Sequence, residues 1–392
     1  MSVSSKGFPM SRLLILSLAI FSVILSELGI PGILPQLAEE FNIPLVQAAN
    51  LVGYYALSTA IASIPITKLL MAVNRKKVML SIFTVYTVAN LALALINSYP
   101  LALLVRVILG TTIGAFWPII TYYAMKLAEP QYRGRAVTIA NAGSPIAILL
   151  GVPLLTTLAE RYSWRIEFFI MAGLGFILIL LITFFLPSVE GEESEDKKIS
   201  YAAILKDLPF LRWVFITIVV ITAQYGAYVY ITEIVSGINY SPGVAFAQLL
   251  FGIGTIISIL VTALFIDSHY FKIVTTYFLL GAAAVGIFYF FPGQSGFHPV
   301  AFVIWGISFG SMSALFQTAI TRLFPNAPSA ANSIQNASFN FSIMLGSSLG
   351  GWIVSQYSLP LLLMAGSSAL LFISLYIIIQ SRAGRLMHGT AK

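Results

Sequence analysis

Long apolar runs separated by short polar breaks make up almost the whole chain of 392 residues. A helix that crosses a lipid bilayer needs about 20 consecutive, mainly apolar residues. The runs predict twelve such spans, numbered in chain order, near 13–35, 46–70, 78–97, 101–126, 135–158, 165–187, 211–236, 243–266, 272–291, 299–323, 330–355 and 359–380. Proline, glycine, asparagine and charged residues fill the breaks, which is typical of turns between helices.

The composition also indicates a membrane protein. Hydrophobic residues make up 58% of the chain and charged residues only 9%, whereas soluble domains carry about 25% charged residues. We therefore expect an all-α integral membrane protein. The first apolar run follows Lys6 and Arg12. It is longer than the core of a signal peptide and no small-residue cleavage site closes it, so we interpret it as an uncleaved first span.

Positive charge is distributed unevenly along the chain. Nearly all lysines and arginines lie near the two ends or in the breaks that follow even-numbered spans, as Arg75 and Lys76 do after span 2. The positive-inside rule then predicts that both termini are cytoplasmic, in a bacterial plasma (inner) membrane. The net charge of +7 reflects this topology. It does not indicate nucleic-acid binding, because no basic stripe with interleaved aromatic residues is present.

The two halves of the chain repeat each other at a nearly constant offset. The segment GTTIG (110–114) aligns with GISFG (306–310), and Asn141 aligns with Asn336. Both segments carry glycines four residues apart, a spacing that lets helix backbones approach closely. Internal repeats of this kind are typical of transporters, whose halves rock around a site near the membrane midplane. We expect two pseudo-symmetric six-helix bundles with the same orientation in the membrane.

The longest break divides the chain near its midpoint. We expect an N-terminal six-helix bundle at 1–187, a cytoplasmic linker at 188–210 and a C-terminal six-helix bundle at 211–392. The linker is acidic and then basic, as solvated connecting segments often are. A short interfacial helix is expected within it at 200–207.

Glu27 is an ionisable residue inside an otherwise apolar run. An ionised carboxylate in hydrocarbon is costly, so it must face the bundle interior, find a partner or take up a proton. Arg106 on span 4 is predicted at a similar depth. Burial favours the neutral form of a carboxyl group and a nearby cation favours the ionised form. We interpret Glu27 as a candidate proton carrier with Arg106 as its partner; a static ion pair or a helix-packing hydrogen bond is the alternative.

Three further acids fall near the ends of spans. Glu233 lies near the outer end of span 7, the repeat partner of span 1, and is a second candidate for proton coupling. Its alternative is a solvated charge at a helix end. Glu167 is expected at the membrane interface, paired with Arg165 or Arg161. Asp267 is expected to anchor a cytoplasmic loop.

Amides and aromatic residues are the candidate solute ligands. Asn332, Asn336 and Asn340 recur at every fourth residue of span 11 and form one polar stripe. Lipid does not tolerate such a face, so the stripe should line a cavity or contact another helix. Together with this stripe, we expect a small polar or amphipathic organic solute to be bound by Tyr54, Trp117, Asn141, Gln224, Tyr225, Tyr228 and Gln317. Interhelical hydrogen bonds for the amides, and packing or interfacial positions for the aromatics, are the alternatives.

Four segments resemble sequences of a known transporter family. RVILGTTIGAFWPIITYYAMKLAEPQYRGRA (106–136) and LLGVPLLTTLAERYSWRIEFF (149–169) resemble helices 4 to 6 of the twelve-span drug:proton antiporter family of the major facilitator superfamily. SELGIPGILPQLAEEFNI (26–43) and TAQYGAYVYITEIV (222–235) resemble helices 1 and 7 of its bacterial sugar-efflux branch. The resemblance covers nearly the whole chain. It implies alternating access and proton-coupled export, with Glu27 and Arg106 in the coupling site.

Two motifs depart from the family pattern. The family's loop after helix 2 reads roughly G-x-x-x-D-R-x-G-R-K, whereas TKLLMAVNRKK (67–77) keeps only the basic end, with Arg75 and Lys76. The second half keeps the acid as Asp267. We expect Arg75, Lys76 and Asp267 to form the gating loops, with the C-terminal half carrying most of the gating contact. In span 5 the family's antiporter signature survives only in altered spacing.

Three classes of function remain open from the sequence. The first is a secondary transporter that exports a sugar, nucleoside or drug-like solute in exchange for protons. The second keeps the fold but imports a small polar solute by proton symport or uniport. The third is a membrane-embedded enzyme or channel, for which the sequence offers no HExxH motif, histidine cluster or P-loop. We expect a monomeric transporter without enzymatic activity or cofactor, whose partners are the solute, protons and membrane lipid.

Overall fold

A computed structural model of the protein describes residues 9–70, 72–191, 201–325 and 328–386, and the regular structure in these residues is helical throughout. Within them, the helical stretches long and apolar enough to cross a membrane are Met10–Glu40 (span 1), Leu45–Leu70 (span 2), Arg75–Leu95 (span 3), Tyr99–Leu127 (span 4), Pro130–Arg161 (span 5), Arg165–Phe185 (span 6), Leu208–Val229 (span 7), Gly243–Phe290 (spans 8 and 9), His298–Leu323 (span 10) and Leu359–Arg382 (span 12).

Two predicted spans share one of these stretches and another lies outside them. The 48-residue stretch Gly243–Phe290 leaves helical geometry at His269, where φ is −133° and ψ is 32°. Spans 8 and 9 therefore meet at a tight bend rather than at the longer break predicted. Pro328–Gln356 is a 29-residue helix that forms span 11. Its repeated asparagines and serines make it less apolar than the others. Helix thus covers all twelve predicted spans.

Several spans are interrupted, spans 1 and 5 where the sequence carries proline or glycine. Span 1 passes through a 3₁₀ turn at Ile30–Ile33, and span 7 breaks at Tyr230 before continuing as Ile231–Gly237. Span 5 contains a π-helical turn at Ala147–Gly151. Interrupted backbone within a membrane must be buried in protein or line a cavity, because lipid cannot satisfy its polar groups. These three interruptions therefore mark the interior of the bundle.

The internal repeat predicted from the sequence is visible as paired helix contacts. A Cβ atom added to Gly110 on span 4 would overlap the carbonyl oxygen of Tyr55 on span 2. One added to Gly306 on span 10 would overlap the carbonyl oxygen of Phe251 on span 8. Spans 4 and 10 also break at equivalent places, into Tyr99–Ile113 and Phe116–Leu127 and into His298–Gly310 and Met312–Leu323. The two halves are therefore pseudo-symmetric, as predicted.

The hydrogen bonds between the two halves lie towards one end of the bundle. We call the end at which span 1 begins the near end and the opposite end the far end. Within the described residues, two hydrogen bonds join the halves: Tyr225 Oη to Glu27 Oε1 at 3.0 Å and Ser347 Oγ to the Ala49 carbonyl at 2.7 Å. All four residues lie in the far-end portion of their spans. Nearer the middle, a surface cleft of about 280 Å³ is lined by Leu57, Ala60 and Ile61 of span 2 and by residues of spans 7 and 11.

The segment between the halves is only partly described. Residues 192–200 of the predicted linker lie outside the described residues, as do 1–8 and 387–392 at the two ends. A short helix at Tyr201–Ile204 falls within the interfacial helix predicted at 200–207. The boundaries of the two bundles remain predictions.

The close glycine contact between spans 8 and 10 predicts a selective loss of stability. Gly306→Val should lower the free energy of unfolding by about 1–3 kcal/mol or prevent assembly, because its side chain has no room beside Phe251. Gly173→Val on span 6 is the matched control, since no atom lies within 4 Å of an added Cβ there. Thermal unfolding of the two purified variants checks this; equal losses would contradict it.

Candidate functional site

Glu27 is the point at which the two halves make a side-chain contact deep in the bundle. Its carboxylate oxygen Oε1 accepts a hydrogen bond of 3.0 Å from the Tyr225 hydroxyl on span 7. Glu27 itself is partly buried, one residue before the end of the first helix of span 1 at Leu28. The ring of Tyr225 is held by Phe309, 5.1 Å between centroids, and by Phe339 at 6.2 Å. A change in the charge of Glu27 therefore acts directly on a contact between the halves.

Arg106 lies beside this contact and is completely buried. Its Nε donates to the Leu51 carbonyl at 2.9 Å, and its Nη1 donates to the carbonyl and the hydroxyl of Ser26 at 3.1 and 3.3 Å. The guanidinium group lies 4.1 Å from the ring centroid of Tyr55, a cation–π distance. Nη2 has no hydrogen-bond partner among the described residues. Arg106 is thus held by neutral groups.

Glu27 and Arg106 are neighbours without being an ion pair in this conformation. They lie within electrostatic range of each other, and Ser26 joins them because it precedes Glu27 and accepts from Arg106. The ion pairs in the described part of the chain are Arg165–Glu40 and Arg322–Asp267. Of the alternatives left by the sequence, the static ion pair therefore does not describe this conformation. The side chain of Arg106 remains positioned to respond to charge on Glu27.

The predicted ligands on span 7 are packed rather than open. Gln224 is completely buried; its Nε2 donates to Ser308 Oγ at 2.6 Å and its Oε1 accepts from Trp305 Nε1 at 2.7 Å. Tyr228 is also buried, with Phe251 at 5.1 Å between ring centroids. Both residues therefore join spans 7, 8 and 10 to each other in this conformation. The geometry of Gln224 in this conformation is that of interhelical hydrogen bonding, the alternative given for the amides.

The amides on spans 10 and 11 are more open. Gln317 is exposed and its only described hydrogen bond runs from Nε2 to Ser313 Oγ at 3.0 Å. Asn332 is partly buried and donates to Thr321 Oγ1 at 3.0 Å. Asn336 is also partly buried, and its carbonyl accepts from Asn340 Nδ2 at 3.0 Å. These side chains lie on the near-end halves of two adjacent spans. Since lipid does not tolerate such a polar face, we expect it to line a cavity or contact another helix, which remains a prediction.

The other predicted ligands are scattered. Asn141 is exposed on span 5, where it bonds to the Val137 carbonyl of its own helix at 2.9 Å. Trp117 is partly buried against Phe116. Tyr54 is 44% exposed, whereas its neighbour Tyr55 is the residue that faces Arg106. Sequence periodicity alone did not indicate which of these two adjacent tyrosines faces Arg106.

Glu233, the second predicted coupling acid, is partly buried in Ile231–Gly237, the short helix that continues span 7. It makes no hydrogen bond or ion pair within the described residues, and it is not drawn into the Glu27 site in this conformation. A solvated charge at a helix end therefore remains an alternative interpretation of Glu233.

The predicted gating residues make contacts within their own halves. Arg75 is buried, donates to the Leu70 carbonyl at 3.1 Å and lies 4.6 Å from the ring centroid of Tyr122. Lys76 Nζ donates to the Thr183 carbonyl at 2.8 Å. Asp267 pairs with Arg322 at 3.3 Å. The basic and acidic loops thus lie at the near end.

Glu167 is the functional candidate that the sequence analysis missed. The expected pairing with Arg165 is wrong, because Arg165 Nη2 bonds to Glu40 at 2.8 Å and also contacts Asn97. Glu167 is instead completely buried, and neither carboxylate oxygen has a hydrogen-bond partner among the described residues. Its position two residues after an arginine at the start of a span gave the appearance of an interfacial charge pair.

The contact between Glu27 and Tyr225 predicts energetic coupling between the two residues. In a double-mutant cycle of Glu27→Leu with Tyr225→Phe, the free energies of unfolding should be non-additive by about 1–2 kcal/mol. Replacing Tyr225→Phe by Tyr228→Phe gives the control pair, because no hydrogen bond links Tyr228 to Glu27; it should be additive within about 0.5 kcal/mol. Unfolding in mixed micelles measures both cycles. Additivity in the first would contradict the described contact.

Comparisons with known proteins agree with this architecture. The family model described as Major Facilitator Superfamily matches residues 16–330. A protein of Mannheimia succiniciproducens named probable sugar efflux transporter is 25% identical over 356 residues, which is 89% of this chain and 88% of that protein.

Two solved structures share the fold at low sequence identity. A variant of the nucleoside transporter NupG superposes with a TM-score of 0.77 at 13% identity, covering 95% of this chain and 99% of its own. A bacterial homologue of the human lysosomal transporter Spinster, in an inward-facing and occupied conformation, gives a TM-score of 0.76 at 15% identity, covering 99% of this chain and 100% of its own.

The sequence and the structure lead to the same assignment. The helical, pseudo-symmetric bundle, the polar groups between its halves and the match of the family model over most of the chain identify a transporter of small solutes rather than an enzyme. The chain belongs to the major facilitator superfamily.

Proposed function

We propose that this protein is a proton-coupled antiporter that exports a small organic solute, with Glu27 as the residue that carries the proton. The observation that carries the proposal is the hydrogen bond from Tyr225 to Glu27, which joins the halves beside the buried Arg106. A carboxyl group at such a contact can bind a proton in one conformation and release it in the other. Alternating access then links that proton to the movement of the solute.

Arg106 supplies the electrostatic response. When Glu27 is ionised, the guanidinium group nearby stabilises the carboxylate, and Tyr225 donates to it. When Glu27 is protonated, that attraction is lost and the neutral carboxyl group can enter a drier environment at lower cost. The neutral contacts of Arg106 with Leu51, Ser26 and Tyr55 hold the cation in place through both states.

The polar side chains on spans 10 and 11 are proposed to receive the solute. Gln317, Asn332 and Asn336 offer donors and acceptors in the near-end portions of these spans. Neutral amides suit a solute that is recognised by hydrogen bonds, such as a sugar or nucleoside, better than a bare ion. The similarity to a probable sugar efflux transporter supports a sugar as the first candidate.

We assign the described conformation to the solute-loading state of the proposed cycle. The hydrogen bonds from Tyr225 to Glu27 and from Ser347 to Ala49 join the halves towards the far end, which supports entry of the solute from the near end. Release of the proton from Glu27 to that side prepares the site for the solute. The halves then reorient, a proton from the other side neutralises Glu27, and the solute leaves.

The near end is proposed to face the cytoplasm of a bacterial inner membrane, because the near-end breaks carry most of the lysines and arginines. The moving bodies are proposed to be 1–187 and 211–392, connected by the linker 188–210. We propose that the protein acts as a monomer in lipid, since each half supplies residues to one central site. Arg75, Lys76 and Asp267 would close the near end when the far end opens.

Transport measured in everted membrane vesicles tests the role of Glu27. With an acid interior generated by respiration, wild-type vesicles should accumulate a transported probe from a panel of radiolabelled lactose, arabinose and inosine, and the probe should trigger proton release. Glu27→Gln should abolish both accumulation and proton release, because the amide cannot exchange a proton. Glu39→Gln is the matched control, since Glu39 is an exposed acid in the same span.

Each outcome of that assay is informative. Accumulation that persists in Glu27→Gln with unchanged proton release would contradict the assignment of the proton to Glu27. Probe movement without any proton movement in the wild type would favour a uniporter, and accumulation driven by the opposite proton gradient would favour a symporter.

We expect Gln317 and Gln224, both predicted as solute ligands, to have different roles. Gln317→Ala should raise the KM for the transported probe by about fivefold, the equivalent of one lost hydrogen bond, and leave stability unchanged. Gln224→Ala should lower stability by about 1–3 kcal/mol, because it leaves Ser308 and Trp305 without their partner. Uptake kinetics and thermal unfolding measured on both variants check this. An unchanged KM in Gln317→Ala would contradict its placement in the solute site.

A further inference from the structure

A second group of buried polar side chains lies at the far-end contact between the halves. Glu167 on span 6, Thr156 on span 5 and Gln248 on span 8 are all at least 99% buried. Both carboxylate oxygens of Glu167, the hydroxyl of Thr156 and both amide atoms of Gln248 have no hydrogen-bond partner within the described residues. Buried polar groups are nearly always paired. A cluster in which none of these side-chain polar atoms has a hydrogen-bond partner therefore needs a chemical explanation.

Two glycines of span 1 bring these side chains around one turn of backbone. A Cβ atom on Gly29 would lie 3.2 Å from Glu167 Oε2. A Cβ atom on Gly32 would overlap Thr156 Oγ1 and lie 3.0 Å from Gln248 Nε2. Span 1 and the side chains of Glu167 and Thr156 belong to the N-terminal half, whereas Gln248 belongs to the C-terminal half. The cluster is therefore closed only while the halves meet at the far end.

The charged and titratable groups on the surrounding spans do not neutralise Glu167. Arg165 is engaged by Glu40, and Arg106 is held by neutral groups near Glu27. The remaining acids are Glu27 on span 1 and Glu160 on span 5. The remaining phenols are Tyr86 on span 3 and Tyr228 on span 7, and Tyr228 lies within electrostatic range of Glu167. Tyr86 donates to the Ser22 carbonyl. Span 8 contributes the uncharged Gln248.

A neutral carboxyl group is better suited to this environment than an ionised one. The protonated acid offers one O–H donor and one carbonyl acceptor. The amide of Gln248 offers the complementary acceptor and donor, and the hydroxyl of Thr156 can do either. A carboxylate would add only acceptors and would remain without a cation. Burial of an unpaired charge is far more costly than burial of the neutral acid.

We propose that Glu167 is a second proton-binding site, separate from Glu27, and that its protonation holds the far end of the bundle closed. Opening the far end moves Gln248 away from Thr156 and Glu167 and admits water, where the carboxylate is stable. The closed state then binds one more proton than the open state. Acidification of the far-end side therefore favours closure, and alkalinisation favours opening.

This site deepens the proposed antiport, on which its physiological role rests. An exporter that has released its solute at the far end must close there before it can reload. Uptake of a proton by Glu167 from the acidic side would drive that closure. The proton on Glu167 returns to the same side when the far end reopens, so it is not carried across the membrane. This site therefore sets how readily the far end closes and opens, while Glu27 carries the transported proton.

Distance measurements between two spin labels test the proposal without any substrate. The chain contains no cysteine, so Ser163→Cys and Ser295→Cys introduce the only labelling sites, in exposed connections at the far end of each half. In purified protein in lipid nanodiscs, the ratio of long to short distances should rise by up to about tenfold per pH unit, the slope for one linked proton. In Glu167→Gln the short distance should dominate at every pH.

Three variants in the labelled background separate this site from the Glu27 site. Glu167→Asp keeps a titratable carboxyl group and should keep a pH-dependent ratio. Glu160→Gln removes an exposed acid of span 5 and should respond like the wild type. Glu27→Gln should also retain the pH-dependent opening. If the response disappears in Glu27→Gln and persists in Glu167→Gln, the inference about Glu167 is wrong while the proposed antiport stands.

The reverse outcome is equally distinct. If Glu167→Gln abolishes the pH response but Glu27→Gln leaves solute-driven proton movement intact, the Glu167 site stands and the proposed role of Glu27 fails. A wild-type ratio that does not change with pH would overturn the inference directly. Should Glu167→Gln fail to fold, Gln248→Leu provides the second test. Loss of the complementary amide should move the midpoint of opening to lower pH, and an unchanged midpoint would overturn the inference.

Discussion

The organisation of this protein follows from the cost of keeping an unpaired charge away from water. Two acids inside the bundle, Glu27 and Glu167, lie close to the contact between the halves. Glu27 accepts a hydrogen bond from Tyr225 of the other half. Glu167 of one half and Gln248 of the other lie beside Gly29 and Gly32 of span 1. A change in the hydration of that interface therefore changes which protonation state is stable. The proposed coupling of protons to conformation rests on this change alone.

Backbone packing makes this interface possible. Helices satisfy their own polar groups in lipid, and glycines at equivalent positions of spans 4 and 10 let neighbouring spans approach within backbone contact. Each half thereby becomes a compact body. The 3₁₀ turn of span 1 begins three residues after Glu27, in keeping with the rule that irregular backbone is tolerated only inside protein or beside a cavity. Rigid halves with a polar seam are the physical basis of alternating access.

The sequence predicted the fold well and the site only in part. Apolar run length and the glycine repeat were enough for the spans and the pseudo-symmetry, because both reflect constraints that act on every residue of a span. Glu27 and Arg106 were found as charges inside apolar runs. Glu167 was not, because its neighbour Arg165 suggested a local pair, while the actual partner of Arg165 is Glu40 on span 1. Gln224 and Gln317 could not be distinguished in the sequence. Only their tertiary contacts show that Gln224 is buried between helices and that Gln317 is exposed.

The most direct test of the account is the reversal point of transport in proteoliposomes with imposed gradients. At zero membrane potential, the concentration ratio of the transported probe at which net flux stops is measured as a function of the pH difference across the membrane. Exchange of one proton for one solute predicts that each pH unit balances about a tenfold solute gradient, with the solute concentrated on the acidic side. Flux that reverses at equal solute concentrations for every pH difference would contradict proton-coupled antiport.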